Sequence, residues 1–446
     1  MDYFQLIYYI IGTALVLILA MFALSSLREK KQRAFRISAV SAIVLPVIWL
    51  IVPFLFNHSG YYFISIELLS LIFLTLFFAP IGKKSNHDFG IANARVDERD
   101  IMFARSSYKP GTEKYEEYYG KNPEKKKTDD KISRLPRLLE EGGHYYDPVL
   151  SKKVEDMFVI EESRIEDVDG DVASECRGTD IDSITREIKK QVLDLGGDEV
   201  GICEINPMYF YSNVGLGPEP YGSEIVSTHK FSIMYTLEMD YFKVETAPKI
   251  GTTEESAKQY LKAQDISIEI ARRIRSMGYS ARAQVSGSNY QLMLPPLAYD
   301  AGLGEIGRNG YLISEKFGPR VRLGCITTEL KLKTDKPKSF GAVEFCEICK
   351  KCSVDCPSGS IPRNGKLTVR GVEKWQLGIE KCYQYWRIIG TDCGLCMKVC
   401  PFSHPSNFIH NIFRFGIKNS VIARRLSIIG DDLVYRRKFK YKKMDK

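Results

Sequence analysis

The sequence predicts an α+β protein on a membrane anchor, with an N-terminal bundle of three transmembrane helices, a mixed core of helices and strands, and a small cysteine-rich module. Three observations carry this reading. The first 82 residues hold three long runs almost without charge, helical and extended patterns alternate from Asp182, and eight of the 11 cysteines fall between Cys346 and Cys400. With 446 residues, 44% hydrophobic and 26% charged, the chain is long enough for about three units of roughly 150 residues each, and it is too apolar for wholesale disorder. A single small disulfide-stapled domain is excluded as well.

Residues 1–84 form the anchor. Tyr3 to Leu27 carries no charge, and about 20 helical residues at 1.5 Å each cross a hydrocarbon layer of roughly 30 Å. Ile37 to Asn57 is a second span, interrupted by Pro46 and Pro53, which membrane helices tolerate. Tyr61 to Ile81 is a third, with the single charge Glu67. That carboxylate is either a functional group within the bilayer or one that snorkels to the interface. A chain opening on Asp2 and so long an apolar run lacks the marks of a cleaved signal peptide. Arg28, Lys30, Lys31, Arg33 and Arg36 separate spans one and two, no basic side chain lies around His58, and Lys83 and Lys84 follow span three. The positive-inside bias then predicts a multi-pass protein of the inner cell membrane, with everything after residue 84 on the cytoplasmic side.

Residues 85–190 read as polar and loop-rich, with the charge run Lys121–Asp130 as a solvated loop and no nucleic-acid partner implied. The core, residues 191–335, has clearer patterning. Ile184 to Leu195 has helical spacing and stops at Gly196-Gly197, Val200 to Ile205 reads as a strand, and His229 to Met239 reads as a more buried one. Thr252 and Glu255 have capping-box spacing, and Ala257, Tyr260, Leu261, Ile270, Ile274 and Met277 continue one long helix.

The cysteine-rich module, residues 336–410, contains Cys346-x2-Cys349-x2-Cys352-x3-Cys356-Pro and Cys382-x10-Cys393-x2-Cys396-x3-Cys400-Pro. This is the spacing of a bacterial two-cluster ferredoxin, in which the fourth cysteine of one run ligates the other cluster. It assigns Cys346, Cys349, Cys352 and Cys400 to one [4Fe-4S] cluster and Cys356, Cys382, Cys393 and Cys396 to a second; the competing reading is a pair of zinc sites. Cys176, Cys203 and Cys325 read as small buried hydrophobes. Residues 411–446 form a basic tail, suited to lying along anionic headgroups or to docking an acidic electron carrier. Gly302-Leu-Gly304-Glu-Ile-Gly307 matches a dinucleotide fingerprint literally, but it follows Pro295-Pro296-Leu-Ala-Tyr-Asp-Ala rather than a strand, so a nicotinamide site is rejected. Its glycines permit a tight turn or close backbone approach to a bulky ligand.

Ala301-Gly-Leu-Gly-Glu-Ile-Gly-Arg-Asn-Gly310, Phe317-Gly-Pro-Arg-Val-Arg-Leu323 and the double cysteine array resemble the corrinoid-dependent reductive dehalogenases, in a membrane-integrated form. Asp97–Arg105, Leu195–Gly201 and Met239–Tyr241 extend the resemblance over residues 95 to 405. The related epoxyqueuosine reductases resemble it less closely. The resemblance implies a nitroreductase-like core holding cobalamin base-off, with electrons arriving through two [4Fe-4S] clusters to remove halide from an organohalide. It implies Tyr260 as proton donor, with Arg322 and Asn289 beside it, and places Gly302, Gly304, Gly307 and Arg308 against the corrinoid. Arg320, two residues from Arg322 on the same strand face, is the rival cation. Tyr290 stands where the family often has an acidic residue. A quinol, a ferredoxin or a flavodoxin is the implied electron donor. Two other readings stand beside this one, a corrinoid reductase of another substrate such as a modified nucleoside, and a non-catalytic membrane ferredoxin.

Overall fold

The computed structural model describes residues 3–55, 60–82, 89–178, 180–286 and 290–436. His58, Lys83, Lys84, Asn289 and the basic residues from Arg437 onward lie outside them. The chain divides into two compact units.

The first unit combines Met1–Asn86 with Phe340–Cys349 and His404–Lys442. Helices α1 (Tyr3–Arg28), α2 (Gln32–Leu55) and α3 (Gly60–Phe78) are each long and apolar enough to cross a membrane. Many of their large apolar side chains point outward, which suits hydrocarbon and not water. Near the N-terminal end of α1 the Tyr8 ring stacks on Trp49 at 4.5 Å and its hydroxyl donates to the Trp49 carbonyl at 2.8 Å. Gly12 makes room for that indole, because a Cβ there would collide with it.

The described part of the expected basic tail forms two helices, Phe408–Asn419 and Val421–Tyr435. They are amphipathic helices packed on the anchor, burying Ile409, Ile417 and Ala423. Ser420 Oγ donates to the Leu76 carbonyl at 2.6 Å, and Arg424, itself buried, donates to the Ile417 carbonyl at 2.8 Å. A count of charges hid this apolar stripe. The helix Ala342–Cys349, carrying Cys346 and Cys349, packs on both of these helices.

The second unit holds His87–Ser339 and Lys350–Ser403. Its centre is a four-stranded antiparallel sheet of order β1-β2-β6-β3, from β1 (Glu199–Glu204), β2 (Phe231–Glu238), β3 (Ala281–Gln284) and β6 (Val321–Thr328). The short pair β4 (Glu305–Ile306) and β5 (Leu312–Ile313) lies between β3 and β6 in the chain. Helix Ile250–Ser276 covers one face, with Ile266, Ile270 and Ile274 packed against Ile233, Tyr235 and Ile326. Tyr235 is fully buried; its hydroxyl reaches the Ala263 carbonyl at 2.5 Å and its ring fills the space left open by Gly324, its partner in register on β6.

The long helix begins at Ile250, with Lys249 at the N-cap and no side-chain cap, so Thr252 and Glu255 do not form the expected capping box. The Thr252 hydroxyl instead donates to the Lys243 carbonyl at 3.2 Å, and Glu255 accepts from the Asp240 backbone N–H at 2.9 Å. The segment read as loop-rich is largely helical, including Met102–Ser107, Glu113–Lys121, Pro123–Ser133 and Pro148–Glu162. The charge run opens a helix because Pro123 suits a first turn, and because Asp129 and Ile132 turn inward. Asp129 accepts two bonds from the buried Arg105 guanidinium at 2.8 and 2.9 Å, which a sequence read for net charge cannot show. Cys203 and Cys325 are buried as expected, but Cys176 is exposed, its thiol facing the Gly278 carbonyl at 3.0 Å.

Candidate active site

Arg322 is the second residue of β6, paired with Leu237 on β2. On the other side β3 ends at Gln284, opposite Cys325, so the β3–β6 ladder stops short of Arg322 and leaves that edge uncovered by a strand. The long helix brings Thr253, Ser256 and Tyr260 to one face, at i, i+3 and i+7. The Arg322 guanidinium lies 5.1 Å from the centroid of the Tyr260 ring and donates to Ser256 Oγ at 2.5 Å. Asp392, the residue before Cys393, accepts from Ser256 Oγ at 2.7 Å and Thr253 Oγ1 at 2.9 Å, and stands 3.5 Å from Arg322.

Burial works against the Arg322 charge, but Tyr260, Asp392, Tyr311 and Tyr290 together outweigh it, and its pKa lies above the ordinary value. Burial holds the Tyr290 phenol well above the usual tyrosine range, and the neighbouring Tyr260 adds to this. Tyr311 is raised by burial and then by the Cys396 and Cys382 thiols, with Arg322 pulling the other way. Three tyrosines therefore act electrostatically on one cation, and one of them is also raised by cysteine thiols. Arg322 Nε is buried with no hydrogen-bond partner among the described residues, the condition of a donor that a ligand would satisfy. Arg320, the rival cation, is otherwise engaged. It is fully buried, donates to the carbonyls of Ser403 and Met239 at 2.6 Å each, and pairs with Glu238 at 3.0 Å.

Cys356, Cys382, Cys393 and Cys396 converge within the same unit. Burial pushes the Cys382 thiol up to about 11 with Cys356 adding, while Cys393 and Cys396 are raised by burial and by the other thiols of this group. A backbone with Cys393 at φ 58° and Gly394 at φ 65° turns Cys393 and Cys396 toward one centre. Four converging thiols fit a [4Fe-4S] cluster, whose iron would offset the thiolate charge that burial otherwise penalises. In the other unit, Cys346 and Cys349 sit one helical turn apart on Ala342–Cys349.

The glycines of 302–307 make their close approaches to protein. A Cβ at Gly302, φ 73°, would meet the Lys336 carbonyl at 2.5 Å, and one at Gly307 the Ile313 side chain at 2.9 Å; Gly304 abuts the Ile313 carbonyl. Arg308 is buried, donates to the Pro362 and Asn364 carbonyls at 2.9 and 2.8 Å, and stacks on Trp375 at 4.7 Å. The structure thus joins Tyr260 and Arg322, while Asn289 is outside the described residues. It adds Asp392, Ser256, Thr253 and Tyr311, which sequence reasoning missed; the place of Asp392 beside Cys393 was the one available signal. Glu161, on Pro148–Glu162, was missed as well. Burial, then Glu162, pushes it up to about 7, and it is among the groups that raise Tyr290.

Residues 345–404 match the family model of the 4Fe-4S dicluster domain. The tetrachloroethene reductive dehalogenase of Dehalobacter restrictus is 31% identical over 277 residues, covering 52% of this chain and 50% of that protein. An epoxyqueuosine reductase of Lactococcus garvieae is 29% identical over 116 residues, 25% of this chain and 32% of that one. Among solved structures, a reductive dehalogenase described as suggesting a mechanism for B12-dependent dehalogenation superimposes with a TM-score of 0.58 at 26% identity, over 70% of this chain and 47% of that one. The chain is thus related to reductive dehalogenases in sequence and fold, and spans half or less of the length of the first curated relatives it matches.

Proposed function

We propose that this protein is a membrane-anchored, corrinoid- and iron–sulfur-dependent reductive dehalogenase. The observation that carries the reading is Arg322 set against Tyr260, 5.1 Å from its ring centroid. The reaction takes an organohalide, two electrons and one proton to the hydrogenated carbon and free halide. A base-off cobalamin in a nitroreductase-like core would supply the two-electron cleavage of the carbon–halogen bond, as cofactors generally supply the hard chemistry.

The chain's own residues supply position and proton. Tyr260 Oη donates the proton, and Arg322 favours the phenolate left behind. Asp392 and Ser256 hold the guanidinium over the ring, so that it stabilises this charge without rearrangement. Asn289 completes the polar side, and Tyr290 narrows the pocket where the family often carries an acidic residue. Gly302, Gly304, Gly307 and Arg308 lie against the corrinoid in this reading, with Arg308 tied to the Pro362 and Asn364 carbonyls. Cys346, Cys349, Cys352 and Cys400 hold one cluster, and Cys356, Cys382, Cys393 and Cys396 the other. The basic segments flanking the spans support a catalytic unit on the cytoplasmic side, with a quinol, a ferredoxin or a flavodoxin as the proposed donor.

The test is halide release by the detergent-solubilised, anaerobic holoprotein with reduced methyl viologen, across haloalkenes and halophenols. Release that requires both cobalamin and Tyr260 supports the reading. No release from corrinoid-loaded protein, together with reduction of an epoxyqueuosine-containing tRNA stem loop, would favour the nucleoside reading to which the shorter similarity points.

A further inference from the structure

The C-terminal end of the first span carries a second constellation, independent of the dehalogenase reading. Glu29 follows the last turn of α1, and although acidic it is only 5% exposed. Its Oε1 lies 2.7 Å from His410 Nε2, and its Oε2 lies 3.1 Å from His404 Nδ1. The two imidazole rings stack 4.5 Å apart at 14°. One oxygen of Glu29 and one nitrogen of each histidine all lie within 4.8 Å of one another.

The surroundings of this group are those of a built site. Ser25 Oγ donates to Glu29 at 2.7 Å, and Asn407 Nδ2 donates to Ser25 Oγ at 2.8 Å, which fixes the carboxylate. On the far side of His404, Nε2 faces Asp431 Oδ1 at 3.8 Å. A carboxylate behind a ligating imidazole fixes its tautomer and raises its basicity. Phe22 meets the His410 ring edge-on at 6.4 Å and Tyr435 lies 4.3 Å from the His404 ring, so the polar atoms sit inside an aromatic shell.

The donor set admits a cation. Glu29 is a buried carboxylate held between two imidazoles, and a divalent cation would replace the protons now held between Glu29 and the two rings. Two nitrogens and one carboxylate are donors that suit zinc, whose bonds of about 2.0–2.1 Å set tetrahedral donors roughly 3.3 Å apart.

We propose that Glu29, His404 and His410 form a zinc site, with Asp431 as the group that orients His404. The three ligands come from the end of α1 and from the segment containing Phe408–Asn419, so the metal staples the first span to the C-terminal helices. Positions 29, 404 and 410 are far apart in sequence, and no Cys/His spacing announces them.

The test uses the full chain with its iron in place, equilibrated with zinc, desalted and analysed for zinc and iron together. Wild type should retain about one zinc per chain more than the Glu29→Gln/His410→Asn double variant, with equal iron in both. Equal zinc in the two proteins, or none in wild type, would overturn the proposal. Should the double variant lose iron and so reveal a folding defect, Asp431→Asn decides. It should bind zinc roughly ten- to 100-fold more weakly at unchanged iron, and an unchanged affinity would overturn the site.

Discussion

Tyr260 shows how little a single residue's chemistry can be read from its own neighbourhood in the chain. Its spacing on the long helix places it with Ala257 and Leu261, among core positions. Only the register of the resemblance singled it out, and the guanidinium 5.1 Å from its ring is what gives that choice physical content. Tyr260→Phe should lower halide release by about 10²–10⁴-fold, the usual worth of a positioned acid, while iron and corrinoid contents stay as in wild type. An undiminished rate would remove Tyr260 from the chemistry. Glu161 leads to a pH prediction. Its folded pKa of about 7 lies above its ordinary 4.5, so the neutral form is favoured in the folded chain. The stability this confers is full below the unfolded value and is lost as pH rises through 7. Thermal unfolding followed across that range should show a falling midpoint in wild type and a flatter profile in Glu161→Gln; identical profiles would mean that burial does not hold this carboxyl neutral.

At the scale of elements, the regular patterns were legible and the paired charges were not. Ile184–Leu195 and His229–Met239 were read nearly as they stand because periodicity reports a buried face directly. The helices of residues 102–133 were hidden because the interior they enclose is partly ionic. Arg105, on Met102–Ser107, pairs with Asp129 on Pro123–Ser133 at 2.8 Å and with Glu380 at 2.9 Å, and Glu380 lies two residues before the cluster ligand Cys382 on Ile379–Ile389. Removing one member of a buried pair costs about 3–5 kcal/mol because the other charge is left stranded. Asp129→Ala should therefore lower stability by that order and loosen the helix that carries Cys382, seen as iron loss on mild heating. A stability change below 1 kcal/mol, roughly that of an exposed pair, would show that the pair is solvated. Gly324→Val should also destabilise the sheet, since a side chain there occupies the space of the Tyr235 ring; a thermal midpoint equal to wild type would refute that packing.

At the scale of the whole molecule, the two-cluster character of the cysteine module was legible, because ligand spacing is a local property that a sequence records. Its partition was not. The helix with Cys346 and Cys349 belongs to the same compact unit as the three spans and the C-terminal helices, while Cys356, Cys382, Cys393 and Cys396 belong to the other. The three spans and two of the proposed ligands of one cluster thus share a compact unit. Removing residues 1–84 should take iron from about eight to about four per chain, since one cluster of four irons loses its support; full iron in the truncated protein would show that the spans serve only as a tether.

The most direct test of the account is the metal and corrinoid content of the full chain, purified anaerobically in detergent and reconstituted with cobalamin. The account predicts about eight irons and one cobalt per chain, the sum of two [4Fe-4S] clusters and one corrinoid. Eight irons with no cobalt retained would contradict it, and would leave an anchored iron–sulfur protein whose tyrosine-lined site has no cofactor to serve.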